Sequence, residues 1–313
     1  MRFLITGISG FAGRHLAAHL MAEGHDVFGV TREEPAAPLP PAVPGVSSEA
    51  IFWGDVCDPA IVNRAVHDVD PDGIFHLAAQ SSVSKGEGDA ARTFTVNSTG
   101  TLEVLAAAQA RRRRCRVLLV SSGECYGLSA AAGPIVEDTP LRPMSVYAAS
   151  KVASEVLLRQ AVDAYGADAV CVRAFNHTGP GQSPTFVCAD FARQIVAVER
   201  GVQPAVRVGN LDAVRDFLDV RDTVRAYAAI WQRGESGGVY NVSSGVGRRI
   251  GDILEALRGL ANGGIEVEPD PQRLRPADVP VLIGDNRRVR ALGWQPTIAW
   301  QRTLSDLIAS WRA

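Results

Sequence analysis

The chain has 313 residues, 46% hydrophobic and 21% charged, enough apolar content for one large domain or two smaller ones sharing an interface, which excludes a stapled miniprotein and a disordered tail. With 32 Lys and Arg against 34 Asp and Glu the formal charge is -2, so no global positive field draws the protein to nucleic acid or anionic lipid, and any anionic ligand must be held locally. The five cysteines, Cys57, Cys115, Cys125, Cys171 and Cys188, are odd in number and lack a CxxC pair, which suits reduced core thiols and not a disulfide framework or a metal site.

The chain opens directly on an apolar run without a basic leader. No stretch approaches the roughly 18 uninterrupted apolar residues of a membrane span. The expectation is a soluble cytoplasmic protein with neither membrane nor nucleic acid as partner. Residues 2–6, 26–30, 50–53, 73–77, 116–121 and 167–174 read as strands, and 11–23, 59–66, 90–111 and 146–165 as helices between them. That alternation predicts the α/β class with a parallel sheet. Pro35, Pro38, Pro40, Pro41 and Pro44 make 34–48 a surface loop, because each removes an N–H donor and fixes φ. The arginine run 111–114 ends a predicted helix, where cations suit the macrodipole. It is a poor electrostatic footprint for nucleic acid.

Beyond residue 175 the pattern loosens into Gly, Pro and Asn clusters, with helical segments at 186–200, 222–233, 250–260 and 300–312. A strand at 238–242 and the helix before it are expected to return to the main sheet. The organisation read from this is a sheet domain over 1–175, completed by about 220–243, and a smaller α/β lobe from 176–219 and 244–313.

After the first strand comes Thr6-Gly7-Ile8-Ser9-Gly10-Phe11-Ala12-Gly13, a glycine-rich turn opening a helix. Gly7 permits the tight turn, Gly10 lets the backbone approach a pyrophosphate, and Gly13 allows close helix-on-strand packing, with the anion at the helix N-terminus. Ser9 and Phe11 belong to the same turn. Where NAD would call for an acid after the second strand, the chain has Thr31 followed by Arg32, which favours the 2'-phosphate of NADP(H) while leaving NAD(H) possible; Glu33 would oppose that phosphate. Asp55 and Val56 follow the third strand, in place for an adenine. Leu77 ends the fourth, and Ala78 and Ala79 after it are small enough to let a cofactor lie close.

Tyr147 and Lys151 stand four residues apart on one helical face, and Ser122 lies just past the fifth strand. A phenol is a poor acid-base group at neutral pH unless a neighbouring ammonium stabilises its anion. A serine hydroxyl completes the set by bonding the reacting oxygen, so the three make a hydride-transfer constellation.

With these residues the sequence resembles the extended short-chain dehydrogenase/reductases, in their nucleotide-sugar branch. The matching segments are 6–13, 54–56, 76–80, Asn97 with Gly100-Thr101, 121–127, 147–151 and 173–181. The resemblance implies a Rossmann domain, doubly wound around a parallel sheet, with a C-terminal nucleotide-sugar lobe. It also implies that Ser122, Tyr147 and Lys151 act at a sugar hydroxyl or ketone, with Lys151 touching the nicotinamide ribose and Gln80 and Ser81 near the substrate. Three further segments, 176–187, 209–217 and 275–280, resemble the GDP-mannose group of that branch. By that resemblance Asn176 and Arg215 bind the diphosphate, Val187 and Arg193 line the guanosine end, and Arg275 with Asp278 clamp phosphate and ribose.

The group contains a 4,6-dehydratase and a reductase of the 4-keto-6-deoxy sugar. A dehydratase must remove the C5 proton, which asks for a carboxylate base; Glu124 is the candidate. Gly123 departs from the Asp-Glu pair of glucose-nucleotide dehydratases, but GDP-mannose dehydratases keep only the Glu, so Glu124 leaves the question open; the Gly-Pro-Gly-Gln-Ser loop and residues 283–285 look more like the reductase. The expected activity is NADPH-dependent reduction of the C4 ketone of a GDP-4-keto-6-deoxy-hexose, with no metal. The alternatives are the dehydratase, a 4-epimerase at greater distance, and a redox-sensing binding protein, which has no need of Ser122, Tyr147 and Lys151. The resemblance also places the apolar faces of 90–111 and 146–165 at a four-helix homodimer interface.

Overall fold

Four of the five residues of the first strand, β1 (Arg2–Thr6), are buried, the mark of a strand covered on both faces. The computed structural model describes residues 1–32, 43–80, 89–111, 113–130, 133–273 and 279–313. Numbered in chain order, β1 is joined by β2 (Asp26–Thr31), β3 (Ile51–Trp53), β4 (Gly73–His76), β5 (Arg116–Ser122), β6 (Ala169–Ala174) and β10 (Val239–Val242) in a seven-stranded parallel sheet. Its order is β3-β2-β1-β4-β5-β6-β10, a Rossmann-type doubly wound sheet.

Alternation along the strands sorts side chains between two cores. Phe3 and Ile5 of β1 pack with Leu16 and Leu20 of α1 (Phe11–Ala22) and Val224 and Ile230 of α6 (Val220–Arg233). Leu4 faces the other way, among Val66 of α2 (Pro59–Val69), Val104 of α3 (Ala90–Gln109) and Leu158 of α4 (Val146–Tyr165). Local chemistry fixes where these helices begin. Asp58, Asp89 and Ser145 each accept a first-turn N–H of α2, α3 and α4, satisfying donors that the helix cannot.

After Phe175 the chain enters a second region. Strand β9 (Val214–Asp219) is its spine, pairing with β7 (Asn176–Thr178), β13 (Val281–Leu282) and β11 (Gly247–Arg249). Strands β8 (Ala205–Val208) and β12 (Glu266–Pro269) form a small pair. Phe191 and Ile195 of α5 (Val187–Glu199), Ile253 and Leu257 of α7 (Ile250–Arg258), and Leu304 and Leu307 of α9 (Trp300–Arg312) build a separate apolar core. Between these, α6 and β10 return to the main sheet and α8 (Arg287–Ala291) follows β13.

The described arginines of the run, which follows the end of a helix as expected, also have specific partners. Helix α3 stops at Gln109, and three arginines after it pair with carboxylates: Arg111 with Asp70, Arg113 with Asp70 and Asp72, and Arg114 with Asp168. Most of the proline loop lies outside the described residues; Pro44 stands in a turn. Among the described residues no helix is long and apolar enough to cross a membrane.

Asp222, fully buried in α6, holds the C-terminal segment to the sheet domain. Its carboxylate accepts the N–H groups of Thr297 and Ile298 at 3.0 and 2.9 Å and a 2.5 Å bond from Arg225. Asp222→Ala orphans two partly buried amides and the Arg225 guanidinium and should lower unfolding free energy by about 1–3 kcal/mol. Urea denaturation followed by fluorescence measures this; a loss below about 0.5 kcal/mol would remove Asp222 as the tie.

Candidate active site

Strand β1 ends in the glycine turn. Gly7 has φ +73°, and a Cβ there would sit 2.8 Å from the Ala78 nitrogen, so only glycine lets the turn lie against the chain leaving β4. A Cβ on Gly13 would meet the Gly7 carbonyl at 2.4 Å. Gly10 caps α1 without a side-chain bond, leaving the first N–H groups of the helix facing outward with their partial positive charge, as an anionic pyrophosphate requires. This backbone cradle fits a dinucleotide.

Below the turn, His76 is held on both sides. The Thr101 hydroxyl donates to the Asn97 carbonyl at 2.7 Å, so His76 Nε2 donates to Thr101 at 3.1 Å and Nδ1 accepts from Thr6 at 2.7 Å. Burial and the Lys151 charge press its imidazole down to about 3, which keeps it neutral. Asn97 also joins α3 to the site: Oδ1 accepts from the Gln80 N–H at 2.8 Å and Nδ2 donates to Ser150 at 2.8 Å.

Ser145 caps α4 two residues before Tyr147, which places the phenol on the first turn and Lys151 one turn further in. Tyr147 hydrogen-bonds Ser122; the dense surroundings push its phenol well up, the Ser122 bond draws it back, and the Glu124 charge pushes it up again. Lys151 is buried, donates from Nζ to the Val120 carbonyl at 2.7 Å, and is lowered to about 8 by burial. The ammonium is therefore held by the strand carrying Ser122. Ser122 Oγ in turn accepts the Glu124 N–H at 3.2 Å, fixing the turn that presents Glu124.

The glycine turn, Ser122, Glu124, Tyr147 and Lys151 open on one cleft of about 880 Å³ between the sheet edge and the second region. Along one arm lie Gly7, Ser9, Gly10, Phe11, Gly13, Thr31, Arg32, Asp55, Val56, Leu77, Ala78 and Ala79. Thr31 is buried with its hydroxyl 2.6 Å from that of Ser9, whereas Arg32 is exposed at the rim. Ser122, Glu124, Tyr147, Lys151 and Gln80 line the middle, and Asn176, Val187 and Arg215 the far arm. Arg215 Nη1 donates to the Val214 carbonyl at 2.9 Å.

Arg193 is not among the lining residues; it turns to Asp190, with Nη2 2.8 Å from the carboxylate. Glu33, Ser81, Arg275 and Asp278 lie outside the described residues. The cleft also gathers Asp190 and Arg273, which no local sequence pattern marks. Asp190 of α5 is the meeting point of Arg193, Gln194 and Arg273, so a carboxylate and a guanidinium far apart in sequence share the far arm. His177 stacks on Phe11, ring centroids 5.9 Å apart and nearly parallel, and Gln182 donates to the His177 carbonyl at 2.8 Å. Among the described residues no group of three His, Cys, Asp or Glu is placed to hold a metal ion.

The family model for GDP-mannose 4,6 dehydratase matches residues 4–307. A GDP-6-deoxy-D-mannose reductase of Pseudomonas aeruginosa is 37% identical, with 100% of this chain and 97% of that protein covered. A GDP-mannose 4,6-dehydratase of Vibrio cholerae is 28% identical over 97% of this chain and 92% of its own. Among solved structures, RMD from Pseudomonas aeruginosa complexed with NADPH superposes with TM-score 0.85 at 35% identity, covering 99% of this chain and 98% of that one. The UDP-glucose 4-epimerase of Thermus thermophilus, complexed with NAD, gives TM-score 0.88 at 30% identity, covering 100% and 99%.

Gly13→Ala drives a methyl into backbone that cannot yield. It should cost about 1–3 kcal/mol of stability and weaken dinucleotide binding by about tenfold or more. Thermal unfolding with and without NADPH reads both; unchanged affinity would mean the turn is not the anion cradle.

Proposed function

Since the chain belongs to the GDP-mannose 4,6-dehydratase family, we propose that it is an NADPH-dependent reductase of the C4 ketone of a GDP-4-keto-6-deoxy-hexose. The observation that carries this reading is the 37% identity to a reductase, end to end in both chains, with Ser122, Tyr147 and Lys151 together in one cleft. Residues 1–175, completed by about 220–243, hold the dinucleotide; 176–219 and 244–313 hold the nucleotide sugar. The exposed Arg32 at the cleft rim supports NADPH over NADH. Five free thiols support a cytoplasmic place of work.

When bound, NADPH supplies a hydride to the carbonyl carbon. Tyr147 gives its phenolic proton to the carbonyl oxygen as that oxygen gains the electron pair of the C=O bond, so the product is the C4 alcohol. Ser122 bonds the same oxygen and orients it. The Lys151 ammonium stabilises the phenolate left behind until solvent returns the proton. Asn176 and Arg215 take the diphosphate, and Val187 the guanosine end. Arg193 acts there through Asp190.

A dehydratase reading is favoured by one observation: the Glu124 carboxylate lines the same cleft, within electrostatic reach of Tyr147. Cofactor stoichiometry separates the two. A reductase should make no product from GDP-mannose alone and oxidise one NADPH per GDP-4-keto-6-deoxy-mannose, with Glu124→Gln slowing it only modestly. Keto sugar accumulating from GDP-mannose with catalytic NADP, and abolished by Glu124→Gln, would make the protein the dehydratase. On the true substrate, Tyr147→Phe should retain NADPH binding while kcat falls roughly 10²–10⁴-fold.

The family reading extends to a homodimer. Phe94 and Leu102 of α3 and Val156 of α4 are 45%, 46% and 61% exposed around an apolar groove of about 430 Å³, a face that a second copy would cover. Sedimentation at micromolar concentration should give twice the monomer mass; a persistent monomer overturns the assignment.

A further inference from the structure

A cluster of buried charge lies behind the catalytic face. Glu155 follows Lys151 by one turn of α4 and is 8% exposed. Its carboxylate accepts the hydroxyl of Ser121, the neighbour of Ser122 in β5, at 2.5 Å. It also accepts a fork from Arg173 of β6, with Nε 3.1 Å from each oxygen and Nη2 2.7 Å from Oε2. Arg173 Nη1 continues to the Tyr126 hydroxyl at 2.9 Å and the Glu137 carbonyl at 2.7 Å. One carboxylate thus fastens the helix of Tyr147 and Lys151 to the strand of Ser122 and to the strand beyond it.

The second observation is the charge around Lys151. The groups facing it are His76 from β4, Cys125 from the turn after β5, Cys171 from β6, and Glu155 from its own helix. His76 is neutral, and burial raises both thiols, Cys125 to about 12, so they stay protonated. Within that set Glu155 is the negative charge, shared with the Arg173 guanidinium.

We propose that Glu155 is a positioning residue for the reduction: it holds Tyr147 and Lys151 in register with Ser122 and supplies the counter-charge that keeps the Lys151 ammonium inside the protein. This rests on the reading of Ser122, Tyr147 and Lys151 as the reacting groups. The pair is not a stability device first, since a buried ion pair roughly offsets its own desolvation; its value is in fixing geometry and charge where the reaction needs both.

The sign of the effect is fixed. Removing a negative neighbour disfavours the ammonium, so Lys151 loses its proton at lower pH, and activity that needs the ammonium declines earlier as pH rises. The test is kcat against pH for NADPH oxidation by the full-length protein, with NADPH affinity measured alongside. Glu155→Gln keeps the size and an acceptor for Ser121 but removes the charge. Its alkaline limb should move down by about one pH unit, with kcat at neutral pH reduced about tenfold or more and NADPH affinity within about twofold of wild type. Glu155→Asp keeps the charge and loses the reach, so its limb should stay while kcat falls. An unmoved limb in Glu155→Gln, or wild-type turnover in Glu155→Asp, overturns the proposal; if the Gln variant does not fold, the Asp variant decides. A wild type that binds no NADPH and oxidises none with the keto sugar would instead defeat the functional reading.

Discussion

Parallel strands cannot be joined by hairpins. Each crossover must run back over a face of the sheet, which lays helices on both sides and brings every strand out at the same edge. In this protein that constraint assembles the cleft. The glycine turn follows β1, Arg32 follows β2, Asp55 and Val56 follow β3, Ala78 and Ala79 follow β4, Glu124 follows β5, and Asn176 follows β6. Residues scattered over the first 176 positions converge because they occupy one topological position repeated six times. The parts outside this rule, Tyr147 and Lys151, reach the edge on the first turns of α4, whose start is set by the Ser145 cap.

What the sequence makes legible is what is local. The strands of the first 175 residues read as apolar runs because the central ones are buried on both faces, and the glycine turn and the Tyr147–Lys151 spacing are patterns within eight residues. Strands β7, β8, β9, β11, β12 and β13 left no comparable trace. Most of them interrupt their apolar residues with charged or polar ones, as β9 does with Arg215 and Asp216. Asp216 is fully buried there because Ser244 and Gly245 satisfy its carboxylate from a loop about thirty residues away. No window around residue 216 contains that information. The same distance hides the far arm of the cleft: Asp190 and Arg273 meet only in the fold, and Arg193 was legible as a basic residue while its partner Asp190 was not. The ion-pair partners of the arginine run are hidden for a related reason, since Asp70, Asp72 and Asp168 come from other parts of the chain.

Buried carboxylates recur at the joints between parts. Asp222 joins α6 to the C-terminal segment, Asp216 joins β9 to the loops after β10 and β13, and Glu155 joins α4 to β5 and β6. Each accepts two or more donors, and each would be costly unpaired. Apolar packing would hold these elements together within a range of small displacements. A carboxylate with several fixed donors permits few, and the cleft is built from elements that these joints connect.

The return of α6 and β10 has a consequence for how the chain is made. Synthesis proceeds from the N-terminus, and β6 is complete at Ala174, but its outer neighbour β10 arrives only with Val239–Val242. During the interval the emerging polypeptide carries a six-stranded sheet whose last strand, buried along its whole length in the finished protein, shows an open row of backbone donors and acceptors. Such an edge invites pairing with other nascent chains. The intervening segment, with α5, β8 and β9, must be translated while that edge waits, so the moment at which it is open to such pairing lasts until β10 has been made. A C-terminal truncation ahead of β10 would make that moment permanent.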